Sequence, residues 1–467
     1  MKNVNISTSL LTFILKNFSK KSKSKMTGKE MIDLCKEHNM FSWSIQGKLN
    51  PIPMERAKGC FFYDTDGKQY FDLNSQLMCS NIGHGHPKVI QAIKDQADEL
   101  AYAGPMFATR ARAEVGPVLS KHTPGDLNKF FFTLGGAEAI ENAVKIAKFY
   151  TKRNKIMTRY RSYHGATLGA ISLTGDQRRW PNEPALPGVV RTFDPYSYRS
   201  LLYREGMSEE EFSAKVLALL EETLMYENPE SFAAICLETV TGSNGIIPPP
   251  NGYLQGLRKI CDKYGILLLC DEVMCGVGRT GEWYAVDHWK VVPDLLTLAK
   301  GITSAYLPLG AVAMSKKIAQ SFDDKMLSCG LTYQSHPMSM AVCKAVLEVV
   351  EEEDLVGNSK RMGLVMKSIH QDLMKKHKSV GEVRNIGLFG GIEIVKNRET
   401  KEPMAPYGAT SEAMTKLVGF LRENGVFVFA NSHVLHTNPP LCVNEKELRD
   451  VFAIVDKALD ITDKYIL

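Results

Sequence analysis

The sequence predicts an α/β protein that combines a mainly parallel sheet with a smaller α+β part. Five short apolar runs are typical of buried strands, and helical stretches separate several of them. These runs end just before five residues suited to binding a ligand, which are Gly135, Tyr163, Glu238, Asp271 and Lys300. Because ligands bind outside the carboxyl ends of the strands in open α/β sheets, we expect one site along that edge.

Composition excludes several classes of protein. A chain of 467 residues is too long for one simple core, and its 44% hydrophobic and 23% charged residues are ordinary for a globular enzyme. No apolar run approaches the length of a membrane span, so we expect no membrane partner. The ten cysteines form no CxxC pair and suit buried positions in a reducing compartment. His84 and His86 lack further ligands nearby, so no metal site is predicted.

The positive net charge comes from the N-terminal tail. Its first 29 residues contain no acidic residue and seven lysines, namely Lys2, Lys16, Lys20, Lys21, Lys23, Lys25 and Lys29. The rest of the chain holds 50 basic against 52 acidic residues, a net charge of about −2, which argues against nucleic-acid binding. The acid-poor, serine-rich tail favours a mitochondrial presequence, although it has no arginine. A disordered tail, or a cytoplasmic protein that starts at Met26, is the alternative.

Lys300 stands alone in an apolar stretch. It follows the predicted strand 295–298 and is the only charged residue between Asp294 and Lys316. A buried lysine is costly unless it is paired or used chemically. An apolar site lowers the pKa of an amine, and a neutral amine forms Schiff bases. The alternative is a lysine that extends from a loop to solvent.

Asp271 closes another apolar run, 29 residues before Lys300. A carboxylate at this edge can bind a cationic part of a ligand, although it could also cap the following turn. An amine for a Schiff base and a carboxylate for a pyridinium nitrogen are what pyridoxal phosphate chemistry requires. The two residues together therefore indicate a pyridoxal phosphate site.

The motifs around these two residues identify a family resemblance. Residues 271–281 read DEVMCGVGRTG, and LAKG at 298–301 and LPLG at 307–310 follow. From about Trp43 to the C-terminus the chain resembles class III aminotransferases, which are pyridoxal phosphate enzymes of the aspartate-aminotransferase fold type (fold type I). The resemblance implies a homodimer with shared active sites. It also implies that Lys300 carries the cofactor and moves a proton, while Asp271 keeps the pyridinium charged.

Four parts are predicted along the chain. We expect a basic tail over 1–29, the N-terminal part of a small domain over 30–85, a large cofactor-binding domain over 86–339, and the C-terminal part of the small domain over 340–467.

Further cofactor residues follow from the same resemblance. A strand, a glycine turn and a helix are predicted from residue 129 to 147, and free N–H groups at a helix N-terminus suit a phosphate. The resemblance implies that Gly136 and Ala137 hold the phosphate. It places Tyr163 and Val273 on the two faces of the cofactor ring, and it implies that Thr332 reaches the phosphate of the other subunit.

The substrate site departs from the family pattern. Many members carry an arginine where His436 stands. That arginine binds a substrate carboxylate or pairs with a gating glutamate. Glu238 corresponds to this gating glutamate. Histidine is shorter and only partly charged at neutral pH. The resemblance also places Trp43 near the active site, without a chemical role. Arg384 is a further substrate candidate, and Arg384 or Arg161 would be the first alternative carboxylate clamp to test.

We therefore predict an aminotransferase. The amino donor is expected to be an ω-amino acid, taurine or alanine, the acceptor a small 2-oxo acid such as pyruvate or glyoxylate, and glutamate or 2-oxoglutarate a poor substrate. A class III relative that catalyses elimination or aminomutase chemistry, similar to a phospho-lyase, is the alternative, and a non-enzymatic binding protein is a second one. The glycine motif at 276–281 is not a dinucleotide site, because acidic residues precede it and no amphipathic helix follows.

Overall fold

The computed structural model describes residues 26–467. Most of the predicted basic tail, and with it the predicted presequence, lies outside the described residues. The described chain forms two units, residues 26–57 with Phe62–Gln69, and Lys58–Phe61 with Tyr70–Leu467. The division passes through three N-terminal strands, which are β1 (Met54–Lys58), β2 (Phe61–Asp64) and β3 (Gln69–Asp72). The four-part division made from the sequence stays a prediction.

The smaller unit begins with helix α1 (Gly28–His38). A capping box starts this helix: the Glu30 amide donates to Thr27 Oγ1 at 3.2 Å, and the Thr27 amide donates to Glu30 Oε2 at 2.8 Å. A short 3₁₀ turn follows at Gln46–Lys48. Trp43 belongs to this unit, and 60% of its surface is exposed.

The larger unit is built on a seven-stranded sheet. Its strands are β4 (Lys129–Thr133), β5 (Lys155–Arg159), β6 (Val189–Thr192), β7 (Phe232–Glu238), β8 (Leu267–Asp271), β9 (Leu295–Leu298) and β10 (Gly310–Met314). They lie in the order β4-β10-β9-β8-β7-β5-β6. Only β10 runs antiparallel to its neighbours. The prediction of a mainly parallel sheet is therefore confirmed, with one antiparallel strand that the sequence analysis did not predict.

Both faces of this sheet are buried, which explains its continuous apolar strands. In β8, Leu268 and Cys270 pack into one core cluster, while Leu267 and Leu269 pack into the other. Helices cover both faces. The helices of this part of the chain are α2 (Ser75–Met78), α3 (Pro87–Glu99), α4 (Arg110–Ser120), α5 (Gly136–Thr151), α6 (Leu168–Leu173), α7 (Glu209–Tyr226), α8 (Tyr253–Tyr264), α9 (Lys316–Gln320) and α10 (Pro337–Glu352).

The C-terminal part of the larger unit is α+β, as predicted. An antiparallel sheet contains β11 (Val380–Ile386), β12 (Phe389–Asn397), β13 (Glu402–Pro403), β15 (Ala430–Asn431) and β16 (Val434–Thr437). The remaining elements are α11 (Leu355–Lys376), α12 (Glu412–Glu423), α13 (Glu445–Thr462) and β14 (Val426–Phe427), which pairs in parallel with the end of β3. Across residues 26–467, no helix is long and apolar enough to cross a lipid bilayer.

Candidate active site

Three neighbouring strands bring the predicted catalytic residues to one edge. Glu238 and Asp271 end β7 and β8 and are register partners, and Asp271 in turn pairs with Thr297 on β9. Lys300 follows β9 after one residue, Ala299, and starts a 3₁₀ turn over Lys300–Ile302. The parallel sheet therefore places a lysine and two carboxylates side by side, although 62 residues separate the outer two along the chain.

The Asp271 carboxylate is buried and fixed at both oxygens. Oδ2 lies 2.7 Å from Nδ1 of His164. Oδ1 accepts the amide of Val273 at 3.0 Å and the hydroxyl of Thr297 at 3.3 Å. Only 4% of Asp271 is exposed. A carboxylate that is held this way is oriented before any ligand arrives, which is what a charge partner for a pyridinium nitrogen needs.

His164 is a functional candidate that the sequence analysis missed. Its ring is buried, and Nε2 lies 3.4 Å from Thr158 Oγ1 and 3.9 Å from Cys236 Sγ. Burial alone would lower the pKa of His164, but the Cys236 sulfur and the Asp271 carboxylate outweigh it and raise that pKa well above its ordinary value. A protonated His164 would face the Asp271 carboxylate as its positively charged partner. The sequence placed His164 next to Tyr163, but no spacing pattern connected it with Asp271.

Lys300 has the properties expected of a reactive amine. Its φ of 45° is left-handed, a strained conformation for a residue with a side chain. Among the described residues, its Nζ has no hydrogen bond or ion pair. Burial lowers the pKa of Lys300, and the nearby Asp271 and Glu238 charges oppose that effect only in part. More of the amine is therefore neutral, and so nucleophilic, than in an exposed lysine.

The N-terminus of α5 lies against Val273 and against Ala299, the residue before Lys300. A Cβ atom added at Gly136 would come within 2.9 Å of Val273 Cγ1 and 3.6 Å of Ala299 Cβ, so glycine permits this approach. A Cβ added at Gly165 would lie 2.5 Å from Ala137 Cβ, which places Ala137 against the loop of Tyr163 and His164. Free amides and the positive helix end suit a phosphate here. Together with Lys300 and Asp271, these residues fit pyridoxal phosphate.

Glu238 and Tyr163 are joined through the backbone. Oε1 of Glu238 accepts the amide of Tyr163 at 2.9 Å, and Oε2 accepts the amide of Gly242 at 2.8 Å. Burial raises the pKa of Glu238. The carboxylate that corresponds to the family's gating glutamate therefore anchors two loops. Above the Tyr163 ring lies the guanidinium of Arg178, 3.6 Å from the ring centroid.

Arg384 is engaged by protein groups. Its guanidinium pairs with Glu382 and with Glu393, the latter at 2.9 Å, and it donates to the Gly245 carbonyl at 2.8 Å and to the Tyr196 hydroxyl at 2.6 Å. The Arg384 guanidinium is therefore bound within the protein. A substrate carboxylate would have to compete with two glutamates for it.

His436 is fully buried on β16, and both of its ring nitrogens are sealed from solvent. Burial, together with the charges of Arg384 and Arg178, lowers the pKa of His436 to about 3. The ring is therefore neutral at physiological pH and cannot replace the charge of an arginine.

Three further residues predicted for the site are Arg161, Thr332 and Trp43. The backbone amide of Arg161 donates to Asp194 Oδ2 at 2.8 Å, and its guanidinium lies 5.3 Å from the centroid of the Tyr196 ring. Thr332 is exposed, and its carbonyl accepts the Tyr102 hydroxyl at 2.8 Å. Trp43 lies in the smaller unit, so its place near the active site stays a prediction, as does the phosphate contact of Thr332 across a dimer.

Comparison with known proteins agrees with this geometry. The family model described as aminotransferase class-III matches residues 44–459. The chain belongs to the class III aminotransferases. It is similar to the taurine–pyruvate aminotransferase of Bilophila wadsworthia, at 32% identity over 92% of this chain and 96% of that protein. It is also similar to the putrescine–pyruvate aminotransferase of Pseudomonas aeruginosa, at 29% identity over 93% and 96%.

A solved structure extends the comparison to the fold. The taurine:2-oxoglutarate aminotransferase of Bifidobacterium kashiwanohense, solved with pyridoxal phosphate (PLP) and glutamate, shares 40% identity with a TM-score of 0.92. The match covers 95% of this class III aminotransferase and all of that chain. The fold is therefore that of fold type I enzymes, the protein is an aminotransferase, and its cofactor is PLP.

Proposed function

We propose that this class III aminotransferase moves an amino group from an ω-amino acid, taurine or alanine to pyruvate or glyoxylate. The observation that carries the proposal is the uncharged, buried His436 at the position of the usual arginine. Arg384, one candidate for an alternative carboxylate clamp, is already paired to Glu382 and Glu393, so a second substrate carboxylate would have to displace them. The pyruvate-dependent enzymes of Bilophila and Pseudomonas support a small acceptor.

The geometry supports a definite role for each catalytic group. Bound PLP supplies the electron sink that transamination needs. Asp271, held by His164, would keep the proton on the pyridine nitrogen, because its carboxylate is buried and oriented. The Lys300 amine, with its lowered pKa, would first anchor the cofactor and then take and return the proton at the substrate carbon. The amides of Gly136 and Ala137 would bind the phosphate.

We also propose a homodimer with shared active sites. The exposed loop that carries Thr332 precedes α10 and is free to contact a second copy, as the family resemblance implies. Size measurement by light scattering tests this assembly. A monomer that binds PLP and turns over at the full rate would contradict shared sites.

The acceptor is the part of the proposal that most needs a test, because the Bifidobacterium relative is named for 2-oxoglutarate. A panel that crosses taurine, β-alanine, alanine and glutamate with pyruvate, glyoxylate and 2-oxoglutarate separates the possibilities, with Lys300→Ala as the inactive control. We expect pyruvate or glyoxylate to give the highest kcat/KM. If 2-oxoglutarate were the best acceptor, our interpretation of His436 would be wrong. Product formation without any keto acid would instead indicate elimination or aminomutase chemistry.

A further inference from the structure

We propose that Cys60 and Cys442 are a modification site, at which a peroxide converts two thiols into a reversible disulfide. All ten cysteines are free in the structure, and the described residues show no other hydrogen-bonded pair of cysteines. Cys60 lies between β1 and β2, and Cys442 lies in the loop between β16 and α13. The disulfide would therefore join two segments that are 382 residues apart in the sequence.

The two sulfur atoms already lie side by side. Sγ of Cys60 is 3.7 Å from Sγ of Cys442. A disulfide bond is about 2.0 Å long, so the sulfurs must approach each other by about 1.7 Å. Each sulfur turns about a single χ1 bond, and rotation of both side chains can supply this movement. Cys60 is only 3% exposed, whereas Cys442 is partly exposed, so a small oxidant has access to Cys442.

The segment before Cys60 is fixed by its backbone. Gly59 and His84 exchange two backbone hydrogen bonds, each 2.9 Å long. A Cβ atom added at Gly83 would lie 2.8 Å from Cys442 Sγ and 2.9 Å from the Gly59 carbonyl oxygen. Glycine at position 83 therefore lets the Cys442 sulfur pack beside the segment that carries Cys60. Two thiols positioned in this way react with each other faster than with a thiol from solution.

The segment before Cys442 is linked to the turn of the catalytic lysine. The amide of Leu441 donates to the Asn81 carbonyl at 2.7 Å. A Cβ atom added at Gly301 would lie 2.6 Å from Nδ2 of Asn81, so Asn81 packs directly against the residue that follows Lys300. A movement of Cys442 would therefore act on Asn81 and, through it, on the turn that holds Lys300.

The reaction consumes one molecule of hydrogen peroxide. The hydrogen bond with Cys442, together with burial, raises the pKa of Cys60, so Cys60 stays a thiol and Cys442 reacts first. The Cys442 sulfur attacks one peroxide oxygen and the O–O bond breaks, which gives a sulfenic acid and water. The Cys60 sulfur then attacks the sulfenic sulfur, and the hydroxyl group leaves with the Cys60 proton as a second water. Two electrons pass from the thiols to the peroxide.

Peptide mapping of the holoenzyme tests the site. Wild type is treated with hydrogen peroxide, alkylated without reduction and digested, and its peptides are identified by mass. We expect one pair of peptides linked through Cys60 and Cys442, two hydrogens lighter than the reduced peptides together. Eight of the ten thiols should remain, and dithiothreitol should restore all ten. The mapping needs no substrate, so it can succeed or fail whatever the amino donor and acceptor prove to be.

Three variants make the mapping specific. Cys60→Ser and Cys442→Ser should both lack the linked peptides after treatment. Cys329→Ser removes another partly exposed cysteine and should form the link as wild type does. Oxidised wild type without this link, or with a link between other cysteines in its place, would overturn the proposal. The result for wild type does not depend on how well any variant folds.

The rate of the oxidised enzyme tests the connection to the catalytic turn. We expect kcat to fall when the disulfide forms in wild type and to recover with dithiothreitol, because a shifted turn would misplace the Lys300 amine. Peroxide should leave the kcat of Cys442→Ser unchanged. An equal kcat for linked and unlinked wild type would refute this connection. The same loss of activity in wild type and in Cys442→Ser would also refute it, since the loss would then come from another group.

Discussion

At the residue scale, we predict that catalysis depends on the pairing of Asp271 with His164. Asp271→Asn keeps the shape of the side chain but removes the charge that faces the cofactor nitrogen. We expect PLP still to bind, while kcat falls at least about a hundredfold, as when one preorganised electrostatic partner is lost. Steady-state kinetics with the best substrate pair checks this. A near-normal kcat would show that Asp271 only caps its strand.

We expect His164 to act as a positioning residue, so its effect should depend on Asp271. His164→Gln alone should lower kcat about tenfold, because the carboxylate loses its 2.7 Å partner. When His164→Gln is added to Asp271→Asn, kcat should fall little further, since there is no carboxylate charge left to orient. The absorbance change of the bound cofactor with pH, followed in all four proteins, gives a second readout. If the two substitutions lowered kcat independently of each other, His164 would not act through Asp271.

At this scale the sequence predicted the reactive groups but not their partners. Lys300 and Asp271 could be inferred because a charge inside an apolar stretch is a local pattern. His164 contacts Asp271 across 107 residues of sequence. No local spacing encodes such contacts, so the fold was needed to find them.

At the scale of elements, the strands and their ends were predictable and their order was not. All five strands predicted to end at the site are present. They could be recognised because a strand that is buried on both faces of the sheet has a continuous apolar sequence. Strands β6 and β10 were missed. The sequence of β10 is small and apolar, GAVAM, and its antiparallel place between β4 and β9 depends on tertiary packing.

The first turn of α5 provides the element-scale prediction. A methyl group at Gly136 would lie 2.9 Å from Val273 Cγ1, and so displace a side chain predicted to contact the cofactor ring. We expect Gly136→Ala to weaken PLP binding by at least about tenfold, which corresponds to about 1.4 kcal/mol. Fluorescence titration of the apoenzyme with PLP measures this. Gly419→Ala on α12 is the control, since its added methyl group meets no atom within 4 Å. Equal affinity in both variants would contradict the account.

For the whole molecule, buried neutral histidines couple stability to pH. Burial lowers the pKa of His370 to about 3, and burial together with two arginines does the same for His436. Below their ordinary pKa of about 6.5, the unfolded state binds protons that the folded state does not, so stability falls between about pH 6.5 and 3. One such histidine costs about 2 kcal/mol between pH 7 and 5.

Urea unfolding at pH 7 and pH 5, at one protein concentration, tests this coupling. His436→Asn should reduce the loss of stability between the two pH values by about 2 kcal/mol relative to wild type. The same loss in both proteins would show that His436 is protonated in the folded state.

The central claim is that Lys300 is the residue that carries the cofactor, and borohydride reduction of the holoenzyme tests it most directly. Reduction fixes the cofactor to whichever amine holds it, and peptide mass mapping then locates that amine. We predict a pyridoxyl modification on Lys300, and none in Lys300→Ala. Modification of a different lysine in wild type, or no modification at all, would contradict the account.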